Sequence, residues 1–404
     1  MLSSIKVSQL LQRWPVVLWF LGVAGIYFFA FHKTEIGLTR GCQDGVGEIG
    51  LEKAKRLSIG SDYYRIYLAC KYYTGSGVSK DLRIALQYLE DSAKKGSAYS
   101  QVVLSGFYMR GEGVGKDDEE AMRLLRLAAL QGDAQGQFRL GVAHLYGTAV
   151  KQDDAQAAQW FHKAADQGLP EAEQALGAMY GSGRGVARDD AKAVQLFRKA
   201  AKQGNAEAQY DLCSVHFSGT GVPREYETAF QWCSKAAEQG QVSAQYLTGT
   251  MYLQGQGVLK NEMLALHWLQ KAAEQEHPEA QLHLGVMYLN GQGVKKDDFL
   301  AFLWMRRSAE RGLKEAQANL GKFYYNGIGT KQDGVLGVEW IRKAAEQGDA
   351  GAQYDLGVVY FNGRDVKKDL VEAERWWRKA AGQGNEDARK ILKDIFPDGS
   401  SGLL

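Results

Sequence analysis

The stretch EAQLHLGVMYLNGQGVKKDD, residues 279–298, decides the fold of this protein. Its two glycines flank one residue and are followed by lysines, a pattern that occurs in phosphate-binding loops and in bends between helices. Similar phrases begin every 36 residues, at Gly75, Gly111, Gly147, Gly183, Gly219, Gly255, Gly291, Gly327 and Gly363. One nucleotide site does not need nine loops. The phrase therefore predicts a bend in a repeated unit.

The segment before each bend, which we call helix A, has apolar residues at helical spacing. In the quoted repeat these are Leu282, Val286 and Leu289, on either side of Gly285. The position of Gly285 is occupied by a small residue in every repeat: Ala69, Ser105, Gly141, Gly177, Cys213, Gly249, Gly285, Gly321 and Gly357. We therefore expect a neighbouring helix to pack closely against helix A at this position.

The segment after each bend, helix B, starts and ends at recognisable residues. Its start is a residue whose side-chain oxygen can cap a helix: Asp81, Asp117, Asp153, Asp189, Glu225, Asn261, Asp297, Asp333 and Asp369. Eight of these nine are good caps, and Glu225 is the exception. Its end is a glycine in all repeats except one, where Glu276 is expected to cost about 1 kcal/mol in a left-handed conformation.

A single pair of helices cannot bury its own apolar stripe, so consecutive pairs must stack. The sequence therefore predicts an all-α solenoid of nine helix-turn-helix repeats over residues 62–385. Residues 48–61 and 386–396 are predicted capping helices, and residues 397–404 a disordered tail. Lys393 replaces the small residue of helix A, because no helix B follows it.

The uncharged run at residues 14–31, WPVVLWFLGVAGIYFFAF, is long enough to cross a bilayer as a helix. The alternatives are a cleaved signal peptide, whose apolar region is usually about 7–15 residues, and a buried core helix. We predict a transmembrane helix at 14–31, a cytoplasmic segment at 1–13 and a linker at 32–47. Lys6 and Arg13 favour a cytoplasmic N-terminus and an exported remainder.

Composition and motifs exclude several functions. The 49 basic and 47 acidic residues are intermixed, so no charged surface for nucleic acid is expected. The phrase GEGVGKDD, residues 111–118, lacks the glycine spacing and the hydroxyl residue of a phosphate loop. The seven histidines have no metal-ligand spacing, and no nucleophile motif occurs. We predict no catalytic residue, metal, cofactor or small-molecule substrate.

The pattern A-x-x-x-L-G-x-x-Y-x-x-G-x-G-V, followed by D-x-x-x-A-x-x-W-x-x-K-A-A-x-x-G, resembles the Sel1-like repeat, a relative of the tetratricopeptide repeat. This resemblance implies a right-handed α/α superhelix that binds proteins and is not an enzyme. Envelope members of the family suggest a scaffold anchored in the bacterial inner membrane with its repeats in the periplasm. The alternatives are an immunity protein that neutralises a secreted type VI-type lipase or phospholipase effector, and an endoplasmic-reticulum membrane adaptor.

By analogy with tetratricopeptide arrays, the partner would bind the concave face, formed by helix A residues three before and four after the small position. The predicted partner-binding residues are Tyr73, Met109, Phe138, Tyr210, Phe217, Tyr246, Leu282, Asn290, Tyr325, Asn326, Tyr354, Phe361 and Asn362. In the alternative interpretation, the apolar members pack between adjacent A helices and the asparagines cap the turn.

Cys213 and Cys233 are a candidate disulfide. Cys213 is the small residue of the fifth helix A, and Cys233 lies on helix B of the same hairpin. These faces are expected to meet. Two buried thiols would fit the same packing.

Overall fold

The computed structural model of the protein describes residues 51–396. These residues form twenty α-helices, and no strand occurs among them. They divide into two compact units, the N-terminal unit (51–224) and the C-terminal unit (225–396). Each unit is a succession of helical hairpins.

In the N-terminal unit the helices are α1 (Leu51–Ser58), α2 (Asp62–Thr74), α3 (Leu82–Lys94), α4 (Ala98–Arg110), α5 (Asp118–Leu130), α6 (Ala134–Tyr146), α7 (Asp154–Asp166), α8 (Pro170–Ser182), α9 (Asp190–Lys202) and α10 (Ala206–Ser218). In the C-terminal unit they are α11 (Tyr226–Glu238), α12 (Val242–Gln254), α13 (Glu262–Glu274), α14 (Pro278–Asn290), α15 (Asp298–Glu310), α16 (Lys314–Asn326), α17 (Gly334–Glu346), α18 (Ala350–Asn362), α19 (Leu370–Gly382) and α20 (Glu386–Ile395). Even numbers from α2 to α18 are A helices, and odd numbers from α3 to α19 are B helices.

The predicted caps close each hairpin. In α15, the Asp297 side chain accepts from the amide of Leu300 at 2.9 Å, while the Asp297 amide donates to the Tyr288 carbonyl of α14 at 2.9 Å. Eight of the nine predicted capping residues accept such a bond, and Glu225 makes no capping bond. A short turn therefore reverses the chain without leaving the first amides of helix B unsatisfied.

The glycine phrase is a bend, as predicted. Gly291 and Gly293 have φ values of 70° and 65°, which side chains rarely adopt. Gly293 also lies against the Glu262 backbone of the preceding B helix, so a side chain there would collide with it. Ala149 and Asp365 occupy the position equivalent to Gly293 and are forced to φ values of 59° and 64°.

The small position of helix A is a point of close helix contact. A methyl group on Gly141 would lie 2.7 Å from the Phe161 ring, and one on Gly177 would lie 2.7 Å from the Phe197 ring. Both rings are fully buried. In these hairpins a B-helix side chain fills the space that a glycine leaves in helix A.

A helix flanks the nine repeats on each side within the described residues. Helix α1 packs on α2, with Ala54 fully buried. Helix α20 repeats the start of an A helix, with Asn385 capping Ala388. Lys393, at the small position, is exposed.

Residues 1–13, 14–31, 32–47 and 397–404 lie outside the described residues. Among residues 51–396, no helix is both long and apolar enough to cross a membrane. The repeat helices have 13 residues, which gives about 20 Å at 1.5 Å per residue, against about 30 Å for a hydrocarbon core. The predicted location in the bacterial inner membrane, with repeats facing the periplasm, is therefore wrong.

Candidate protein-binding surface

The predicted partner-binding residues all lie on A helices, and we number their positions from the first residue of each helix. The apolar members occupy positions 5 and 12, which fall on one side of an α-helix because seven residues make about two turns. The asparagines occupy position 13, directly after position 12. The side chains thus share one helix surface, here called the A face.

Four of the predicted residues are buried and serve packing. Tyr73, Phe138, Tyr210 and Leu282 keep 8%, 4%, 4% and 1% of their surface exposed. The Phe138 ring lies 5.6 Å from the Phe161 ring, and the Tyr73 ring meets the Phe107 ring edge-on at 5.8 Å. Tyr73 thus packs between adjacent A helices, whereas Phe138 packs against the B helix of its own hairpin.

The other apolar members are only partly buried, namely Met109, Phe217, Tyr246, Tyr325, Tyr354 and Phe361. The Arg364 guanidinium lies 5.0 Å from the centre of the Tyr325 ring, and the Lys368 ammonium 5.5 Å from that of Phe361. Cations over aromatic faces hold the rings in place while leaving one edge accessible.

Amide side chains end four consecutive A helices of the C-terminal unit. Asn290, Asn326 and Asn362 are exposed at position 13 of α14, α16 and α18. Sequence reasoning missed Gln254, which is exposed at the same position of α12 and which the 36-residue period identifies. The residues before them, at position 12, are Leu253, Leu289, Tyr325 and Phe361, all partly buried.

These amides do not cap the turn. The helix end is closed by backbone, since the amide of Gly291 donates to the Met287 carbonyl. In the N-terminal unit, position 13 hydroxyls do bond their own helix: Thr74 donates to the Cys70 carbonyl at 3.0 Å and Ser182 to that of Ala178 at 2.8 Å. Within the described residues, Asn290, Asn326 and Asn362 form no such bond. The amides of these three asparagines are therefore available to bind another molecule.

A buried glutamine network joins neighbouring helices and was not predicted. Gln137, at position 4 of α6, donates to the Ala129 carbonyl of α5 at 3.2 Å and accepts from Gln167 after α7 at 2.8 Å. The same arrangement recurs at Gln101, Gln245, Gln317 and Gln353. The signal in the sequence is a glutamine that returns every 36 residues. It fixes the A helices against the ends of the B helices.

Ionisable side chains are buried on A helices at position 6 or 9. Lys322 lies 3.2 Å from the Asp355 carboxylate, with 9% and 0% of the side chains exposed. Asp211 accepts from Gln174 at 2.6 Å, and burial raises the pKa of Asp211 to about 7. Arg139 is also buried. Sequence reasoning missed these groups, although Lys322 is a charged residue at a position that is apolar or small in the other repeats.

A second exposed feature lies on the B helices of the C-terminal unit. The second residues of α13, α15, α17 and α19 are apolar and largely exposed: Met263 (73%), Phe299 (59%), Val335 (57%) and Val371 (64%). The equivalent residues of α3, α5, α7 and α9 are Arg83, Glu119, Ala155 and Ala191. We call the four exposed residues the B column.

Residues 51–396 contain no cluster of histidine, cysteine, aspartate and glutamate that could hold a metal ion. Cys213 and Cys233 are both fully buried, and each is disulfide-bonded, as is Cys70. The pairing of Cys213 with Cys233 stays a prediction.

A family model described as Sel1 repeat matches nine consecutive segments between residues 65 and 385. This chain belongs to the Sel1 repeat family. The matched segments are 65–97, 98–133, 134–169, 170–205, 206–241, 242–277, 278–313, 314–349 and 350–385. Sel1 repeats indicate a protein-binding scaffold, and no catalytic family is indicated.

Solved structures agree with this assignment. A Sel1 repeat protein from Oxalobacter formigenes is 33% identical over 88% of this chain and 99% of its own, with a TM-score of 0.57. A protective antigen of uropathogenic Escherichia coli is 34% identical over 87% of this chain and 83% of its own, with a TM-score of 0.54. No curated protein matches this Sel1 repeat chain significantly.

An immunity protein from Pseudomonas aeruginosa is 18% identical over 57% of this chain and 85% of its own, with a TM-score of 0.37. A likeness at this level carries no argument about what the Sel1 repeat chain binds.

Proposed function

We propose that this Sel1 repeat protein is a non-enzymatic scaffold that binds an extended protein segment along the A face of α12, α14, α16 and α18. The observation that carries the proposal is the row of exposed amides at Gln254, Asn290, Asn326 and Asn362, each one residue beyond a partly buried apolar side chain. The amides are equivalent in successive repeats.

A row of amides suits a peptide backbone. Each side-chain amide offers both a donor and an acceptor, which is what the N–H and C=O of an extended chain require. The adjacent apolar side chains, Tyr325 and Phe361 among them, supply rigid contact area that dominates binding energy. Backbone recognition would hold the segment, and the apolar residues would select large side chains on it.

A displayed library of random 12-residue peptides tests the proposal. Peptides selected on the wild-type protein are measured by calorimetry against Asn290→Ala/Asn326→Ala/Asn362→Ala. At about 1 kcal/mol for each of three lost hydrogen bonds, the triple variant should bind about 100- to 200-fold more weakly. The matched control is Gln159→Ala/Gln195→Ala/Gln231→Ala, which removes three exposed amides from B helices.

Substitutions in the B column test the competing possibility that the peptides bind the B helices. If the selected peptides keep their affinity for the asparagine variant but lose it for Met263→Ser/Phe299→Ser/Val335→Ser/Val371→Ser, the binding surface is on the B helices and the proposal is wrong. Circular dichroism of every variant checks that each remains helical.

The narrower functions stay predictions. An immunity protein against a lipase or phospholipase effector, and an adaptor of the endoplasmic reticulum, both use a protein-binding surface. A purified effector lipase that is inhibited by the wild-type protein and not by the asparagine variant would establish the first of these.

A further inference from the structure

Arg139 is a buried cation without a carboxylate. It occupies position 6 of α6 and keeps 9% of its surface exposed. Its Nε and Nη1 atoms are buried and have no hydrogen-bond partner within the described residues. Two other buried cations differ from it: Arg65 lies 2.7 Å from the Asp91 carboxylate, and Lys322 lies 3.2 Å from that of Asp355.

The charged groups around Arg139 form no ion pair with it among the described residues. Asp133 is the nearby acid, but its carboxylate caps α6 by accepting from the Gly136 amide at 2.7 Å. Arg110 is a nearby cation and already pairs with Glu112 at 2.7 Å. Burial and, to a smaller extent, Arg110 lower the pKa of Arg139 to about 10, so the group remains protonated at neutral pH. Arg139 is therefore a buried cation that no carboxylate contacts directly, although Asp133 supplies a nearby negative charge.

Such a charge is expensive in an apolar setting, and buried charges in proteins are nearly always paired. Val142 and Tyr146 follow Arg139 by three and seven residues and share its side of α6. Both belong to, or pack against, the apolar cluster that contains Phe138. An anion that reached Arg139 would bind in a site of low polarity, where charge–charge attraction is stronger than in water.

We propose that Arg139 binds a carboxylate, donated by an acidic side chain or the chain terminus of a protein segment. The planar guanidinium matches a carboxylate through two parallel hydrogen bonds. The two coplanar oxygens of a carboxylate fit the guanidinium plane, whereas the oxygens of a phosphate are arranged tetrahedrally. That the carboxylate belongs to a protein rests on the proposed function, but the carboxylate site itself does not.

Small anions test the site without a partner. The thermal unfolding midpoint is measured with sodium N-acetylglycinate, sodium phosphate or sodium chloride at equal ionic strength. At ten times its Kd, a ligand that binds only the folded state raises the folding equilibrium constant about elevenfold. N-acetylglycinate should produce this rise in the wild-type protein and in Arg123→Met, an exposed arginine paired with Glu120. It should produce none in Arg139→Met.

The unliganded proteins provide a second readout. Arg139→Met should unfold at the same temperature as the wild type or higher, because the variant removes an unpaired buried charge. A clearly lower midpoint together with an unchanged response to N-acetylglycinate would show a structural arginine and overturn the proposal. If Arg139→Met does not fold, Arg139→Lys takes its place as the variant. The nitrogen-15 shift of the wild-type Arg139 Nε–H is then also followed while N-acetylglycinate is added.

Three outcomes contradict the proposal: no rise with N-acetylglycinate, an equal rise in Arg139→Met, or a larger rise with phosphate. The proposed function fails separately. The asparagine variant lies in the C-terminal unit and should lose peptide binding while keeping the response to N-acetylglycinate.

Discussion

Gly177 in α8 faces the ring of Phe197 in α9, and a methyl group on Gly177 would lie 2.7 Å from the Phe197 Cε1 atom. The ring is fully buried and has no room to withdraw. The same contact between a helix A glycine and a helix B ring recurs in the preceding repeat, between Gly141 and Phe161.

Gly177→Val should therefore lower the free energy of unfolding by about 2–3 kcal/mol, the usual cost of overpacking. Urea unfolding measures it. The control is Gly382→Ala, at a helical glycine with no atom within 4 Å of the added methyl group. That change should stabilise by up to about 1 kcal/mol, because alanine favours a helix over glycine. Equal effects of the two substitutions would contradict close packing at Gly177.

Glu276→Gly should raise the free energy of unfolding by up to about 1 kcal/mol, because Glu276 has a φ of 69° where other repeats have glycine. Its carboxylate lies 2.5 Å from Arg311, but both side chains are exposed, so the lost ion pair contributes little. Glu276→Gln isolates that ion pair while keeping the strained backbone. If Glu276→Gln stabilises as much as Glu276→Gly, the backbone explanation is incorrect.

Asp211 should make stability fall as pH rises. Its pKa is raised to about 7 by burial, above the usual 3.8, so the folded state holds a proton that the unfolded state releases. The contribution is fully present below pH 3.8 and is lost as pH rises through 7. The loss is at most about 4 kcal/mol, and residual exposure of the side chain reduces it.

Asp211→Asn should remove this slope between pH 4 and pH 7.5 and should be more stable than the wild type at pH 7.5. Urea unfolding at several pH values measures both. Glu119→Gln, an exposed carboxylate on α5, should leave the slope unchanged. A wild-type protein whose stability rises over this range, with Asp211→Asn following it in parallel, would refute the assignment.

Gln137→Met should lower the free energy of unfolding by about 1–3 kcal/mol, since it removes one of the hydrogen bonds to the Ala129 carbonyl and the bond from Gln167, in a buried setting. Gln159→Met on the exposed side of α7 is the control and should change it by less than about 0.5 kcal/mol. Hydrogen exchange of the α5 C-terminus should speed up in Gln137→Met alone. No difference between the two variants would show that the network is not stabilising.

Much of the fold followed from the 36-residue period. Local rules decide these features. Capping places the start of helix B at Asp297, backbone angles place the bend at Gly291, and steric space requires a small residue at Gly285. The strain at Glu276 was also predictable, because a single exception is visible against the other repeats. The candidate surface was predicted less well, because Tyr73, Phe138, Tyr210 and Leu282 are buried. Periodicity alone does not tell a core aromatic from a surface one.

The sequence by itself determined an all-helical chain of nine Sel1 repeats with closely packed hairpins, since each of these features depends on residues near one another along the chain or one period apart. Tertiary structure alone decided which polar groups have partners. Asp355 meets Lys322, Gln167 meets Gln137, and Arg139 meets no carboxylate among the described residues. The physical reason is that burial and pairing depend on distances between neighbouring helices, which no spacing along the chain specifies.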